Sequence, residues 1–370
     1  MFSIVFWSEN FLFPIYLGGD FTEKTDIVSL SYDELQEKIL DMGLPKFRVG
    51  QIYKWLHKTF VINFSEMTDL SKQLRQTLDD NFVIFGCAIE KKLVSCYDGT
   101  VKYLFRLHDD EFVETVVMRY KYGLSICVST QVGCKMGCKF CASTLNGCVR
   151  NLATSEILGQ VYAAQRDLGE RISHIVLMGM GEPLDNYDNV LKFLHMVSDE
   201  NGINIGMRNI SLSTCGLVPK MYDLLNENLQ LTLSVSLHAP NDKIRNQLMP
   251  VSLRYKYDEL LTVCRDYINK TNRRISFEYS LVRGVNDSDE CALELSRRLK
   301  GMLCHVNLIP VNEVDETGLV RSNERQVRNF QKILTDNGIN ATVRRTLGGD
   351  INASCGQLRR NSIKDRGGIG

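Results

Sequence analysis

The chain alternates between short apolar runs and amphipathic segments after residue 126, and this pattern most constrains its fold. The amphipathic segments are 155–168, 190–197, 257–268, 291–299 and 325–334. The apolar runs are 126–129, 172–178, 209–213, 229–237, 275–282 and 305–310. Such alternation is typical of strands joined by crossover helices in a parallel sheet. It predicts an α/β domain over residues 126–347, built as a doubly wound sheet or as a barrel that is not fully closed.

The first 125 residues have a different pattern. Ser31 and Glu34 have the spacing of a helix capping box, and helical patterns follow over 49–60 and 70–78, which predicts a helical module over 26–86. Residues 87–125 contain alternating runs at 102–107 and 112–118, which predict a small β extension. Residues 1–25 are apolar but contain no lysine or arginine before Lys24, so we expect a poorly ordered extension and no signal peptide or membrane span.

Composition narrows the class of protein further. The 44 basic residues balance 44 acidic ones, which excludes a broadly cationic nucleic-acid binder but not a local basic face. Twelve cysteines are many for a chain without a secretory signal. In a cytoplasmic protein the thiols stay reduced, so clustered cysteines indicate metal binding or catalysis more than disulfides.

Three of these cysteines form one motif after the first predicted strand of the α/β domain. Cys134, Cys138 and Cys141 have the spacing C-x3-C-x2-C, and no fourth cysteine follows at ligand spacing. Three thiolates suit a 4Fe-4S cluster that leaves one iron open to a small-molecule ligand. A zinc site completed by a distant residue, or three unrelated core cysteines, are the alternatives.

Polar groups follow four predicted strands, where functional residues of parallel barrels gather. Glu182 follows the second strand in a glycine-rich turn, and those glycines can let the backbone approach a ligand closely. Ser213 ends the third strand, His238 follows the fourth and Asn312 follows the sixth. A lone histidine such as His238 is more often structural than functional, but four polar strand ends together favour a binding site.

These motifs resemble the radical S-adenosylmethionine (radical SAM) superfamily, in which the cysteine motif follows the first strand of a partial (β/α)6 barrel. More narrowly, residues 26–366 resemble the RlmN family of adenine-carbon-2 RNA methyltransferases. The matching segments are 45–48, 51–55, 64–68, 114–116, 127–134, 178–183, 236–241, 307–310 and 355–358.

The resemblance implies a role for particular residues. Cys134, Cys138 and Cys141 would hold one 4Fe-4S cluster. Cys355 would carry a methyl group as S-methylcysteine, and Cys127 would release the product through a transient disulfide. Glu114 would accept a proton. Two molecules of S-adenosylmethionine would be used per turnover. Its contacts would be Gly181, Glu182, Ser213, Ser236, Leu237, His238 and Asn312.

The resemblance also implies partners. These are 23S rRNA, the tRNA adenosine 3′ of the anticodon, and an electron donor such as flavodoxin or ferredoxin; we expect a monomer with no membrane contact. Residues 344–366 contain six basic and two acidic residues, so the mobile segment expected at 348–370 could also bind RNA phosphates. Composition alone favours the interpretation of Cys355 as a passively exposed thiol in a frayed tail. The alternative functions are Cfr-like methylation of carbon 8 and a non-catalytic zinc-containing RNA-binding protein.

Overall fold

The computed structural model describes residues 24–311 and 318–351, and its N-terminal part is helical. The predicted capping box is present, because the Ser31 Oγ accepts from the Glu34 N–H and the Glu34 carboxylate accepts from the Ser31 N–H at 2.7 Å. A single π-helical turn, Trp55–Thr59, extends the second helix. The elements are β1 (Thr25–Asp26), α1 (Tyr32–Asp41), α2 (Phe47–Lys54), α3 (Lys72–Asn81) and β2 (Phe82–Val83).

This helical part shares one continuous hydrophobic core with the rest of the described chain. It contacts the first barrel helix, α4 (Thr154–Leu168), where the Ser155 N–H donates to the Ser29 Oγ at 3.0 Å. His57 is completely buried, and its Nδ1 lies 2.9 Å from the Tyr162 hydroxyl. The module is therefore fastened to the barrel by buried polar contacts as well as by apolar packing.

Three antiparallel strands come next: β3 (Ala88–Val94), β4 (Val101–Arg106) and β5 (Phe112–Tyr120). The sequence analysis predicted the last two and missed β3. The reason is that β3 is the edge strand of the sheet, and its exposed central residues are Glu90, Lys91 and Lys92, so it lacks a clear apolar alternation.

The sheet continues from β5 into the predicted α/β repeat. β6 pairs with β5 in antiparallel, and the strands of the sheet from β6 onward pair with one another in parallel. Its ten strands lie in the order β14-β13-β12-β11-β10-β9-β6-β5-β4-β3. The strands are β6 (Gly123–Cys127), β9 (Ile172–Leu177), β10 (Ile210–Thr214), β11 (Thr232–Ser236), β12 (Ile275–Leu281), β13 (Cys304–Pro310) and β14 (Ala341–Val343), and the hairpin β7 (Gln131–Gly133) and β8 (Cys148–Asn151) lies apart from them. The remaining helices are α5 (Tyr187–Ser198), α6 (Val218–Asn226), α7 (Asp242–Leu248), α8 (Tyr257–Thr271), α9 (Asp289–Leu299) and α10 (Glu324–Asp336).

The sheet has two free edges, β3 and β14, so the barrel is partial, as predicted. Each of the six predicted strands and five predicted helices after residue 126 overlaps an observed one. The short helices α6 and α7 and the strand β14 were missed, because they have only nine, seven and three residues and give too little periodicity.

The two faces of the parallel strands differ in chemistry. Alternate residues such as Leu212, Val235 and Phe277 belong to the core beneath the helices. Because successive side chains point to opposite faces of a sheet, their neighbours face the barrel interior. That inner set on β10–β12 is polar: Ser211, Ser213, Ser234, Ser236, Ser276, Glu278 and Ser280. The inner face thus offers hydrogen-bonding groups where a closed core would be apolar.

A strap, residues 344–351, connects the two edges of the sheet. It leaves β14 where the Arg344 N–H donates to the Leu308 carbonyl at 2.9 Å. It reaches the β3–β4 turn, where the Gly348 N–H donates to Asp98 at 2.9 Å, and the Asp350 carboxylate accepts from the Ser95 hydroxyl at 2.7 Å and the Cys96 N–H at 3.0 Å. The strap therefore crosses the open side of the barrel.

Candidate functional site

The three cysteines of the motif lie on a loop that the β7–β8 hairpin closes. The hairpin is antiparallel, and the Cys134 N–H donates to the Gly147 carbonyl at 2.8 Å at its end. On the other side, the Lys139 N–H donates to the Leu248 carbonyl at the end of α7 at 2.9 Å. The hairpin thus closes the base of the loop, and α7 holds its middle.

The donor set fits an iron-sulfur cluster. Burial, with a contribution from the neighbouring Cys141 thiol, raises the pKa of Cys134 to about 12, so a bound cation is needed to hold the thiolate. Three cysteine thiolates are ligands that suit a 4Fe-4S cluster.

Phe140, within the loop, connects it to the fourth strand end. Its ring lies edge-on to the His238 imidazole, with centroids 4.6 Å apart. His238 is buried in a left-handed backbone conformation (φ 55°), and its Nδ1 accepts from the Ser280 N–H at 2.8 Å. Burial lowers the pKa of His238 to about 3, so the imidazole is neutral. With Nδ1 accepting, the proton is on Nε2, which can donate to a ligand.

Glu182 is the buried carboxylate expected after the second strand. Its Oε2 accepts from the Cys215 N–H at 2.7 Å, and its Oε1 accepts from the Leu184 N–H at 3.1 Å. Burial raises the pKa of Glu182, and these hydrogen bonds oppose the shift. The carboxylate is therefore held rigidly between the ends of β9 and β10, where a cationic ligand group would stabilise its charge.

The glycines before Glu182 allow two backbone segments to meet. A Cβ on Gly179 would lie 2.5 Å from the Val128 carbonyl oxygen and 2.7 Å from the Ser129 nitrogen. Gly181 has φ +101°, and a Cβ there would lie 2.8 Å from the Gln131 nitrogen. The sequence analysis related these glycines to a ligand; the structure shows that they first accommodate the end of β6.

Ser213 and Ser236 occupy inner positions at the ends of β10 and β11, and Leu237 follows the latter, buried. A buried arginine on α7 ties these strand ends together. The Arg245 guanidinium donates to the Cys215 carbonyl at 2.7 Å and to the Ser236 and Leu237 carbonyls at 3.2 Å each. The expected S-adenosylmethionine contacts at the ends of β10 and β11 are thereby held at fixed spacing.

Cys127 and Glu114 lie on the same inner face, on neighbouring strands. Cys127 is directly opposite Val116 in the β5–β6 register, and Glu114 is two residues from Val116 on the same side. The backbone is fixed there, because the Ser129 hydroxyl donates to the Glu114 carbonyl at 2.6 Å. Both side chains are buried, with exposures of 5% for Cys127 and 1% for Glu114.

The strap lies on this same face, and the sequence continues from it to Cys355. Leu347 packs against the cluster of Val116, Met118 and Cys127. Asn312 and Cys355 themselves lie outside the described residues, as does all but residues 24–25 of the predicted extension 1–25. Cys355 follows the anchored Asp350 by five residues, which a chain spans in at most about 18 Å. Among the described residues no two cysteines are joined by a disulfide.

The sequence analysis missed three charged residues of the site: Lys102, Arg245 and Glu278. Lys102 and Glu278 are charged residues inside strands, each between two apolar neighbours, and that interruption was the available signal. Glu278 lies on the inner face, where burial raises its pKa and the Asn307 amide donates to it at 2.8 Å. Arg245 gave no such signal, because it lies on a short polar helix.

No helix within the described ranges has the length and apolar character needed to cross a bilayer.

Comparison with known proteins assigns both parts of the chain. Residues 128–295 match the radical SAM superfamily, and residues 25–84 match the ribosomal RNA large subunit methyltransferase N-terminal domain. A protein of Clostridium novyi (strain NT) described as "Probable dual-specificity RNA methyltransferase RlmN" is 52% identical over 92% of this chain and 99% of its own length. A protein of Alkaliphilus oremlandii (strain OhILAs) with the same description is 54% identical over 93% and 100%.

A solved structure extends the agreement to three dimensions. A radical SAM methyltransferase from Sphaerobacter thermophilus superposes with a TM-score of 0.87 at 42% identity, covering 90% of this chain and 98% of that one. Together with the sequence relatives, this shows that the chain belongs to the RlmN family of radical SAM RNA methyltransferases.

Proposed function

We propose that this chain methylates carbon 2 of adenine in 23S rRNA and in tRNA, at the adenosine 3′ of the anticodon, by way of a methyl group carried on Cys355. The observation that carries the proposal is the common inner face of Cys127 and Glu114, covered by the strap that leads to Cys355. A thiol and a carboxylate there are the two groups that a covalent carrier needs for release of its product.

The chemistry of the target explains the covalent carrier. Carbon 2 of adenine is electron-poor and cannot attack the methyl group of a sulfonium. Carbon-carbon bond formation at this position therefore requires a radical. Holding that radical on the protein converts a bimolecular encounter into an intramolecular one and protects the reactive group from water.

The chain's residues would hold two cofactors. Cys134, Cys138 and Cys141 would ligate the 4Fe-4S cluster, and Gly181, Glu182, Ser213, Ser236, Leu237, His238 and Asn312 would surround S-adenosylmethionine. When bound, one molecule of S-adenosylmethionine would supply the methyl group for Cys355 and a second would supply the hydrogen-atom acceptor. The cluster would accept the one electron that the adduct loses. The Glu182 carboxylate suits an ammonium group, and the neutral His238 can donate a hydrogen bond without adding charge.

Release of the product would use the two inner-face residues. Once the Cys355 methylene carbon is bonded to carbon 2, the adduct must lose one electron and one proton to regain aromaticity, and Glu114 accepts the proton. The Cys127 thiolate then attacks the Cys355 sulfur. An S–S bond forms, the S–CH2 bond breaks, and the methylene carbon gains a proton to become the methyl group. A two-electron reductant restores both thiols; flavodoxin or ferredoxin would supply electrons to the cluster.

Recognition of RNA would be divided among the parts of the chain. Residues 26–86 would bind the folded RNA, and the basic residues within 348–370 would contact phosphates near the reactive thiol. Residues 87–125 would extend the sheet of the core at 126–347. The adenine must be unstacked to enter the barrel. Both substrates are cytoplasmic RNAs, so we infer that the enzyme acts in the cytoplasm, as a monomer.

Variants of the two cysteines test this function. Cys355→Ala should abolish methylation of RNA, and Cys127→Ala should accumulate a covalent protein-RNA adduct that is visible on a denaturing gel. Cys291→Ala, which changes a buried cysteine on α9, serves as the matched control and should methylate RNA normally. Product formation by Cys355→Ala at the wild-type rate would rule out the proposed carrier.

A further inference from the structure

Lys102 is the feature of the inner face that the proposed chemistry has not used. Its Nζ lies 2.8 Å from the Glu114 Oε2, and the two side chains are 1% and 0% exposed. Among the ion pairs of the described residues, no other has both partners so completely buried. A buried lysine is unusual because desolvating its charge is costly.

The location of Lys102 connects it to both release residues. Lys102 on β4 is directly opposite Val116 on β5, and Val116 is directly opposite Cys127 on β6. Lys102, Val116 and Cys127 therefore form one row across three strands on the inner face. Glu114 lies on the adjacent row, opposite Leu104.

Stability alone does not explain the pair. Apolar side chains surround it on the same face, including Leu104, Phe112 and Val116. At such a position a pair of well-packed apolar residues is commonly as stable as a buried ion pair or more so. The pair also fixes the Glu114 carboxylate from one side, while the Ser129 hydroxyl fixes the backbone of the same residue.

We propose that Lys102 is a positioning residue for the release of the product: the 2.8 Å contact of its Nζ with Oε2 holds the Glu114 carboxylate in the orientation that takes the proton from the adduct. The proton leaves carbon 2 and is bound by a Glu114 oxygen, and Lys102 takes no part in the transfer itself. This inference rests on the proposed function, since it assigns a step to Glu114.

Methylation of Cys355 provides a readout that separates this role from a structural one. That step is a displacement at a sulfonium methyl and does not need Glu114. In Lys102→Met we expect RNA methylation to fall by about 100-fold or more, the usual contribution of a proton-transfer group. Cys355 methylation, followed by mass spectrometry of a tryptic peptide, should remain at the wild-type extent.

The chain offers a matched control in Lys92. It lies on β3 opposite Tyr103, so it faces the other side of the same sheet, and its Nζ pairs with Asp167 at 2.6 Å. Lys92→Met removes an ion pair from the neighbouring strand without touching the inner face. We expect RNA methylation at the wild-type rate.

Two further variants keep the proposal testable if Lys102→Met folds poorly. Lys102→Arg keeps the positive charge and should recover part of the lost rate. Lys102→Met combined with Glu114→Gln removes both charges of the pair, so it should fold and methylate Cys355 but form no methylated RNA. Wild-type rates in Lys102→Met, or equal loss of Cys355 methylation and RNA methylation in all three variants, would overturn the inference.

The same protein preparations show whether the role of Lys102 alone is wrong or the proposed function is wrong. If Cys355→Ala still methylates RNA, or if wild-type Cys355 is never methylated, the covalent carrier is wrong whatever Lys102 does. If those cysteine results hold and Lys102→Met is fully active, only the role of Lys102 is wrong.

Discussion

Replacing Gly179 by alanine should disturb the site more than its distance from the cysteines suggests. A Cβ at this position would lie 2.5 Å from the Val128 carbonyl oxygen and 2.7 Å from the Ser129 nitrogen. Both atoms belong to backbone at the end of β6, so no flexible side chain can move aside. The end of β9, which holds Glu182 three residues later, must shift away from the end of β6.

The structure sets the size of the effect. Over-packing of a well-packed interior typically costs about 1–3 kcal/mol, and a backbone neighbour favours the upper part of that range. Gly86 is the matched control, because its φ is not positive and a Cβ there would have no neighbour within 4 Å. Gly86→Ala should be neutral or stabilise the fold by about 0.4–1 kcal/mol, since alanine restricts the unfolded chain.

Urea denaturation of the two variants and calorimetric titration with S-adenosylmethionine provide the assay. We expect a lower urea midpoint and weaker S-adenosylmethionine binding for Gly179→Ala, and wild-type values for Gly86→Ala. Equal midpoints and equal affinities in the two variants would refute the argument that close backbone contact at Gly179 positions Glu182.

Three other predictions follow from single contacts. Burial lowers the pKa of His57 to about 3, well below that of a histidine in the unfolded chain. As the pH falls, the unfolded chain therefore binds the proton first. The free energy of unfolding should fall by about 1.4 kcal/mol per pH unit from pH 6.5 towards pH 3. His57→Gln should flatten that part of the urea-midpoint profile, and an unchanged slope would assign it to other groups. Asp350→Asn weakens the anchor of the strap and should slow Cys355 methylation, measured by mass spectrometry, whereas Asp336→Asn on the surface of α10 should not; equal rates would show that the strap does not position Cys355. Cys138→Ala should lose the iron and the brown absorbance of anaerobically purified protein, and full retention of about four irons per chain would exclude Cys138 as a ligand.

The parts of the fold that the sequence predicted depend on local patterns. The capping box of Ser31 and Glu34 and the alternating strands and helices after residue 126 are short-range features, and the structure contains them. The edge strand β3 was missed because its exposed charges hide its alternation. Sequence separation decided these outcomes. Elements whose signal comes from neighbouring residues could be predicted, whereas an element that depends on its place among distant strands could not.

The same distinction holds in the site. The cysteine motif and Glu182 stand out by spacing or by their place after a strand. The pairing of Lys102 with Glu114 depends on the β4–β5 register, and the reach of Arg245 to three carbonyls depends on where α7 packs. His238 illustrates both sides, since its Nδ1 makes the structural hydrogen bond that a core histidine would make, while Nε2 is left as a donor for a ligand.

The most direct test of the proposed function is the identity of the methylated nucleoside. Transcripts of 23S rRNA and tRNA fragments would be incubated with the reconstituted enzyme, S-adenosylmethionine and reductant, digested to nucleosides and analysed by mass spectrometry against standards. We predict 2-methyladenosine in both RNAs. Formation of 8-methyladenosine, or of no methylated adenosine by an enzyme with its cluster intact, would contradict the proposed methylation of carbon 2.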